Sequence, residues 1–226
     1  MHLIGIVGRC YYNKDGQKMV QTHEPVRRLL ANRDDCVCIT LLPPDDVDYL
    51  EINQGDDKVS KKIDYILDKC DAFIVPGGTY YYSFDEYVMN YAIEHDKPLL
   101  CICLGFQALC TMFAKNREQF IMHKRVNLEN HYGDSKEYKH DVLLNENTYL
   151  KKIIGKDRIS VNSVHHDIID FEMNDLVINA KSDDGILEGV ELPNKKFVLG
   201  LQWHPECLMD ENTEKIINEF IKNMKE

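Results

Sequence analysis

Pro98-Leu99-Leu100-Cys101-Ile102-Cys103-Leu104-Gly105-Phe106-Gln107 is the stretch on which the fold turns. An apolar run after a proline predicts a short buried strand. From Gly105 onward, Phe106, Leu109, Cys110 and Phe113 recur at helical spacing, so strand passes into helix at Cys103. A side chain on such a turn is presented at the strand's carboxyl end, with backbone N–H groups behind it to receive an anion. A thiol there faces the positive end of the helix, which favours the thiolate. Glycine at 105 lets the helix pass close to the strand. A buried cysteine in an ordinary α/β crossover fits the same residues, since free cysteines are among the most buried side chains. This stretch alone leaves both readings open.

Upstream, residues 3–7 read as a core strand ended by Gly8-Arg9, and residues 10–23 as a polar, aromatic loop. A helix opens at Glu24-Pro25 with Val26, Leu29 and Leu30 on one face. Residues 36–42 form a second strand stopped by Pro43-Pro44, and the acidic residues 45–57 a solvated excursion. Ser60 suits the cap of a helix carrying Ile63, Ile66 and Leu67. A third strand, residues 72–75, runs into Pro76-Gly77-Gly78-Thr79. The tyrosines at 80–82 then shape an aromatic pocket or cover the sheet edge, and a helix around residues 88–93 leads back to Cys103. This alternation predicts a parallel sheet covered on both faces, with ligands beyond the strand carboxyl ends. Gly77-Gly78 and Cys103 then share one rim.

Downstream the pattern loosens. Residues 116–140 are polar, with His123, His131 and His140 at spacings that fit no compact metal motif. Residues 158–164 read as a strand running into His165-His166-Asp167, and residues 176–180 and 185–190 as strands joined by Ser182-Asp183-Asp184-Gly185. A last strand, residues 197–203, delivers His204-Pro205-Glu206. A helix carrying Ile216, Ile217, Phe220, Ile221 and Met224 closes the chain. The expected fold is α/β, a single-domain flavodoxin-like three-layer sandwich over residues 1–226. It has a mostly parallel central sheet and a smaller antiparallel β extension.

The 226 residues carry a formal net charge of -11, which argues against nucleic acid or an anionic membrane surface as partner. No apolar run approaches the roughly 18 residues of a membrane span, and residues 1–5 do not read as an export signal. The eight cysteines include no C-x-x-C pair, and several lie in core-like runs. Reduced thiols in a cytoplasmic protein are the economical reading. No cofactor and no metal are expected.

A cysteine nucleophile needs a base and an orienting carboxylate. His204 and Glu206 offer both, two residues apart; on extended backbone that spacing puts them on one face. A strand-end histidine followed by a surface glutamate is the alternative reading of the pair.

Cys103-Leu104-Gly105-Phe106-Gln107, Pro76-Gly77-Gly78 and Gln202-Trp203-His204-Pro205-Glu206 resemble the three signatures of class I glutamine amidotransferase domains, in the same order. Ile4-Gly5-Ile6 with Arg9, and Val161-Asn162-Ser163-Val164-His165-His166, resemble the γ-glutamyl-γ-aminobutyrate hydrolase branch of that superfamily. Phe106 stands where methionine is commoner, and Asp167 where the branch usually has glutamine. The resemblance implies a catalytic triad of Cys103, His204 and Glu206, and an oxyanion hole from the N–H groups of Gly78 and Leu104. It implies substrate contacts at Gly77, Gln107, Val164, His165 and His166, although the histidine pair is also open to a structural role. The implied reaction is hydrolysis of a γ-glutamyl amide through a thioester. A glutaminase subunit feeding ammonia to a synthase is the second reading, and a non-catalytic binding relative the third. A small-molecule γ-glutamyl substrate is the expected partner. A homodimer, and a synthase or γ-glutamyl ligase of the same pathway, stay open.

Overall fold

The computed structural model describes residues 1–44, 61–79, 83–116, 124–125 and 131–224. The acidic segment 45–57, the Ser60 cap, the tyrosines at 80–82 and His123 lie outside them. The first part of the chain comprises β1 (His2–Val7), β2 (Arg9–Tyr12), β3 (Lys18–Gln21), α1 (Glu24–Arg28) and β4 (Cys36–Leu41). A 3₁₀ turn (Lys61–Ile63) runs into α2 (Asp64–Leu67), followed by β5 (Ala72–Val75), α3 (Ser83–Glu94), β6 (Leu99–Ile102) and α4 (Leu104–Met112). The second part comprises β7 (Lys124–Arg125), β8 (His140–Leu144), α5 (Tyr149–Ile154), β9 (Arg158–Val161) and β10 (Asp167–Ile168). It ends with β11 (Val177–Ser182), β12 (Leu187–Glu191), β13 (Val198–Leu201), α6 (Pro205–Leu208) and α7 (Glu211–Lys222).

One large sheet has the order β4-β1-β5-β6-β13-β12-β11-β8-β9. Its first five strands are mutually parallel. Counted along the chain, those five run 2-1-3-4-5, the flavodoxin order. The other four are antiparallel, and all of them lie in the crossover between β6 and β13. The antiparallel extension is therefore continuous with the parallel half, docked onto it through β12 against β13.

Successive residues of β6 point to opposite faces. Leu100 and Ile102 join Ile4, Ile6 and Ile74 under Val26, Leu150, Ile216 and Phe220 of α1, α5 and α7. Leu99 and Cys101 join Phe73 and Val75 under Phe84, Val88, Met89, Phe106 and Leu109 of α3 and α4. Both faces are thus apolar, and each buried aliphatic or aromatic side chain contributes about 1.5–3 kcal/mol. Among the described residues no helix is long and apolar enough to cross a membrane.

Two segments depart from the sequence expectation. Residues 10–23 contain the β2–β3 hairpin rather than a plain loop. Its turn is built by Asn13 Oδ1, which accepts from the N–H of Asp15 at 3.0 Å and of Gln17 at 2.8 Å, with Gly16 at φ 74°. Tyr11, Tyr12 and Met19 stay exposed, so the hairpin lacks the polar–apolar alternation that would have announced it. Residues 140–154, which had no expected element, hold β8 and α5. The helix carries conventional stops: the Thr148 hydroxyl accepts from the Lys151 N–H, and Gly155 closes it in the left-handed region.

Candidate active site

Cys103 sits between β6 and α4 at φ 51°, ψ -104°, a backbone conformation that costs a non-glycine residue about 1–3 kcal/mol. The surroundings hold it there. Its N–H donates to the Leu201 carbonyl of β13 at 2.8 Å, and its carbonyl accepts from the Gln107 N–H at 3.0 Å. A Cβ on Gly105 would lie 2.1 Å from the Val75 carbonyl oxygen, so only glycine lets α4 start this close to β5. Cys101 and Cys110 are fully buried, and burial pushes both thiols up, out of reach as nucleophiles at neutral pH.

His204 follows β13 as the residue that starts α6, and Glu206 lies on the first turn of that helix. The two side chains meet, His204 Nδ1 to Glu206 Oε1, at 2.7 Å. They do so on a helical turn with Pro205 at its start, and not along the extended backbone expected from their spacing. Burial alone would lower the His204 pKa. Its contacts with the Cys103 sulfur and with Glu206 outweigh that and hold it well above the ordinary histidine range. With Nδ1 on Glu206, Nε2 is the nitrogen left for the sulfur. Sulfur, imidazole and carboxylate are thus in series.

Asn162, fully buried beyond β9, fixes the backbone of His204. Its Oδ1 accepts from the His204 N–H and its Nδ2 donates to the His204 carbonyl, both at 2.8 Å. The sequence marked Asn162 only as part of a motif and gave it no site role. Gly77 closes the opposite side: a Cβ there would stand 2.9 Å from His204 Cε1 and 3.4 Å from Cys103 Cβ.

Arg9 is a second residue with no expected site role. It is 2% exposed and bound to Asp85 through Nη1 at 2.7 and 2.8 Å. Its Nε donates to the Pro76 and Gly77 carbonyls at 3.2 Å, and its Nη2 to Pro76 at 2.5 Å. Because a peptide unit is planar and trans, fixing the Gly77 carbonyl toward Arg9 turns the Gly78 N–H the other way. Gly78 adjoins Leu104, the first residue of α4, whose N–H has no carbonyl to bond within the helix. Those two N–H groups are the ones expected to form the oxyanion hole.

The other expected contacts are spread out. Gln107 is buried, its Nε2 donating to Gln202 Oε1 at 3.0 Å and to the Asp167 carbonyl at 3.3 Å. Val164 pairs with Tyr132, and the exposed His166 ring stacks on Tyr132 at 4.3 Å. The His165 N–H is taken by the His131 carbonyl, and its ring turns into a buried group with His131 and Glu188. His23 was not foreseen. It is half-buried at the start of α1, which packs on α6, and burial together with Arg9 lowers its pKa against the pull of Glu206.

Two groups of donor atoms among the described residues are close enough to hold a metal: His204 with Glu206 and Cys207, and His131 with His140, His165 and Glu188. In the first, the imidazole and the carboxylate are already hydrogen-bonded to each other. The second has no such bond at its centre.

Residues 82–206, more than half of the chain, match the family described as Peptidase C26. A glutamine amidotransferase-like protein of Rickettsia prowazekii is 32% identical over 167 residues, covering 56% of this chain and 59% of that protein. A CTP synthase of Borreliella afzelii is 32% identical over 183 residues, covering 67% of this chain and 34% of the synthase. The chain thus spans about a third to three fifths of the length of these relatives. The acivicin-bound glutaminase domain of Trypanosoma brucei CTPS superposes with a TM-score of 0.64 at 19% identity, covering 99% of this chain and 94% of that one, and shares its fold. The chain belongs to the Peptidase C26 family, a class I glutamine amidotransferase-like family of glutaminases and hydrolases.

Proposed function

We propose that this Peptidase C26 member hydrolyses the γ-glutamyl amide bond of a γ-glutamylated amine, within one domain spanning residues 1–226, releasing glutamate and the free amine. The observation that carries this reading is the Cys103–His204–Glu206 series, built on a strained elbow and a carboxylate 2.7 Å from the imidazole. The Cys103 thiolate attacks the γ-carbonyl, and a tetrahedral oxyanion forms against the Gly78 and Leu104 N–H groups. Each such donor is typically worth about 3 kcal/mol of barrier. As the C–N bond breaks, the His204 imidazolium gives its proton to the leaving amine and a thioester remains. Neutral His204 then takes a proton from water, hydroxide attacks the thioester, and glutamate leaves with the thiolate restored. Glu206 keeps the ring oriented and balances its charge. Gln107 contacts the glutamyl group, and the backbone near Val164 lines its α-amino and α-carboxyl end.

A glutaminase subunit supplying ammonia to a partner synthase is the second reading, favoured by the CTP synthases among the relatives. The Arg9 and Asn162 motifs favour the first, because they resemble the stand-alone hydrolase branch and both are built into the site. A panel of γ-glutamyl amines with the full chain, alone, should show faster turnover than free glutamine. Preference for glutamine, appearing only with an added synthase, overturns the hydrolase reading in favour of the subunit.

A further inference from the structure

His131, His140, His165 and Glu188 come from four separate segments: the run before β8, the first residue of β8, the turn after β9, and β12. Glu188 is fully buried, the His131 and His165 side chains are 2% exposed, and that of His140 is 12% exposed. His131 Nδ1, His140 Nε2 and His165 Nε2 all face Glu188 Oε1, at 3.4, 3.6 and 3.4 Å. None of these atoms has a hydrogen-bond partner, nor has Glu188 Oε2. The separations exceed the roughly 2.7–3.2 Å of an N–H···O bond. They are close to the donor–donor spacing around one ion instead, since zinc bonds of about 2.0–2.1 Å place neighbouring donors about 3.3–3.4 Å apart, and all four donor atoms lie within 4.8 Å of one another.

The outward nitrogens complete the pattern. His131 Nε2 meets Asp184 Oδ2 at 2.9 Å, His140 Nδ1 the Asp141 carbonyl at 3.2 Å, and His165 Nδ1 the Asp167 carbonyl at 3.0 Å. A ring that donates outward to a carboxylate or carbonyl carries its proton there and turns a lone pair inward. Three inward lone pairs and one carboxylate, four protein donor atoms all shielded from solvent, are the chemistry of a closed structural site for a borderline divalent ion. We propose that these four residues bind one divalent transition-metal ion, with Zn²⁺ the best fit, as a structural clamp. The clamp ties β12 and β8 to the loops at 131–133 and 162–167. Ser163 Oγ and the His165 N–H both bond the His131 carbonyl, and the Asp167 carbonyl accepts from His165 and Gln107 alike. The ion would therefore stiffen the wall that carries Asn162 behind His204, without touching the reacting atoms.

The test uses the full chain, free of any affinity tag, stripped with a strong chelator and titrated with Zn²⁺ or Co²⁺. The expected result is about one equivalent bound, a rise in Tm on adding Zn²⁺, and the visible absorption of tetrahedral Co²⁺. Glu188→Gln should abolish uptake. Asp184→Asn, on a half-exposed side chain that should fold normally, should weaken it about 10–100-fold. His166→Ala, beside the site but outside it, should bind as the wild type does. Uptake of neither ion by the stripped wild type overturns the proposal and leaves the group an ion pair. Uptake unchanged in both Glu188→Gln and Asp184→Asn overturns it too, placing the ion elsewhere, for instance at His204, Glu206 and Cys207. Metal content and spectra are independent of turnover, so the outcome stands whatever the substrate.

Discussion

Among the described residues two buried glutamates face histidines, and the distance separates their roles. Glu206 Oε1 lies 2.7 Å from one imidazole, close enough to hold a proton between them. Glu188 Oε1 stands 3.4–3.6 Å from three imidazoles, too far for that and spaced for a cation. The first arrangement orients a ring and tunes its charge, which is what a base needs. The second gathers four separate segments around one carboxylate, which suits the proposed clamp.

Removing the sulfur breaks the comparison most completely. Cys103→Ser should lower turnover on the order of 10⁴–10⁶-fold, as loss of a nucleophile does in other triads, and should abolish single-site labelling by a glutamine-like diazo-ketone seen by mass spectrometry. Labelling of Cys101 or Cys110 in the wild type would overturn the assignment. Next in size, Glu206→Gln should cost about 10²–10⁴-fold in kcat, with little change in Tm. Its pH profile carries the sharper signal. Proton donation by the His204 imidazolium persists below its raised pKa and is lost as pH rises through it. Removing a carboxylate that raises that pKa should move the alkaline limb to lower pH, measured as kcat/KM against pH. Arg9→Lys should lower kcat about 10–100-fold by releasing the Gly77 carbonyl and the donor behind it, roughly part of one oxyanion contact. KM should change little. Smallest of all, His166→Ala should change the unfolding free energy and the barrier read from kcat/KM by no more than about 0.5 kcal/mol each, because its ring is exposed against Tyr132. A large KM effect there would restore it as a substrate contact.

The parallel half was legible because β1, β5, β6 and β13 are largely buried and read as apolar runs, with glycine or proline directly after β1 and β5. The elbow was legible for a local reason: the change of apolar spacing and Gly105 sit side by side. His204 and Glu206 were legible as a pair because they are two residues apart, but the helical turn that joins them was not, since Pro205 suits a strand end and a helix start alike. The histidine cluster was invisible in the sequence. Its members are separated by nine to twenty-five residues, and it takes the antiparallel pairing of β8 with β9, β8 with β11 and β11 with β12 to gather them. Spacing motifs detect ligands on one loop or helix face, not those collected by a sheet.

The placement of that antiparallel half has a consequence for how the protein becomes reactive. The thiol of Cys103 emerges during synthesis long before His204, and every residue of the intervening insertion is made in between. Until β13 slots in beside β6 and supplies the Leu201 carbonyl that holds the Cys103 N–H, the sulfur has neither its strained perch nor its imidazole. On the proposed reading a nascent chain therefore carries a dormant thiol, and chemistry switches on only once β13 completes the parallel half of the sheet.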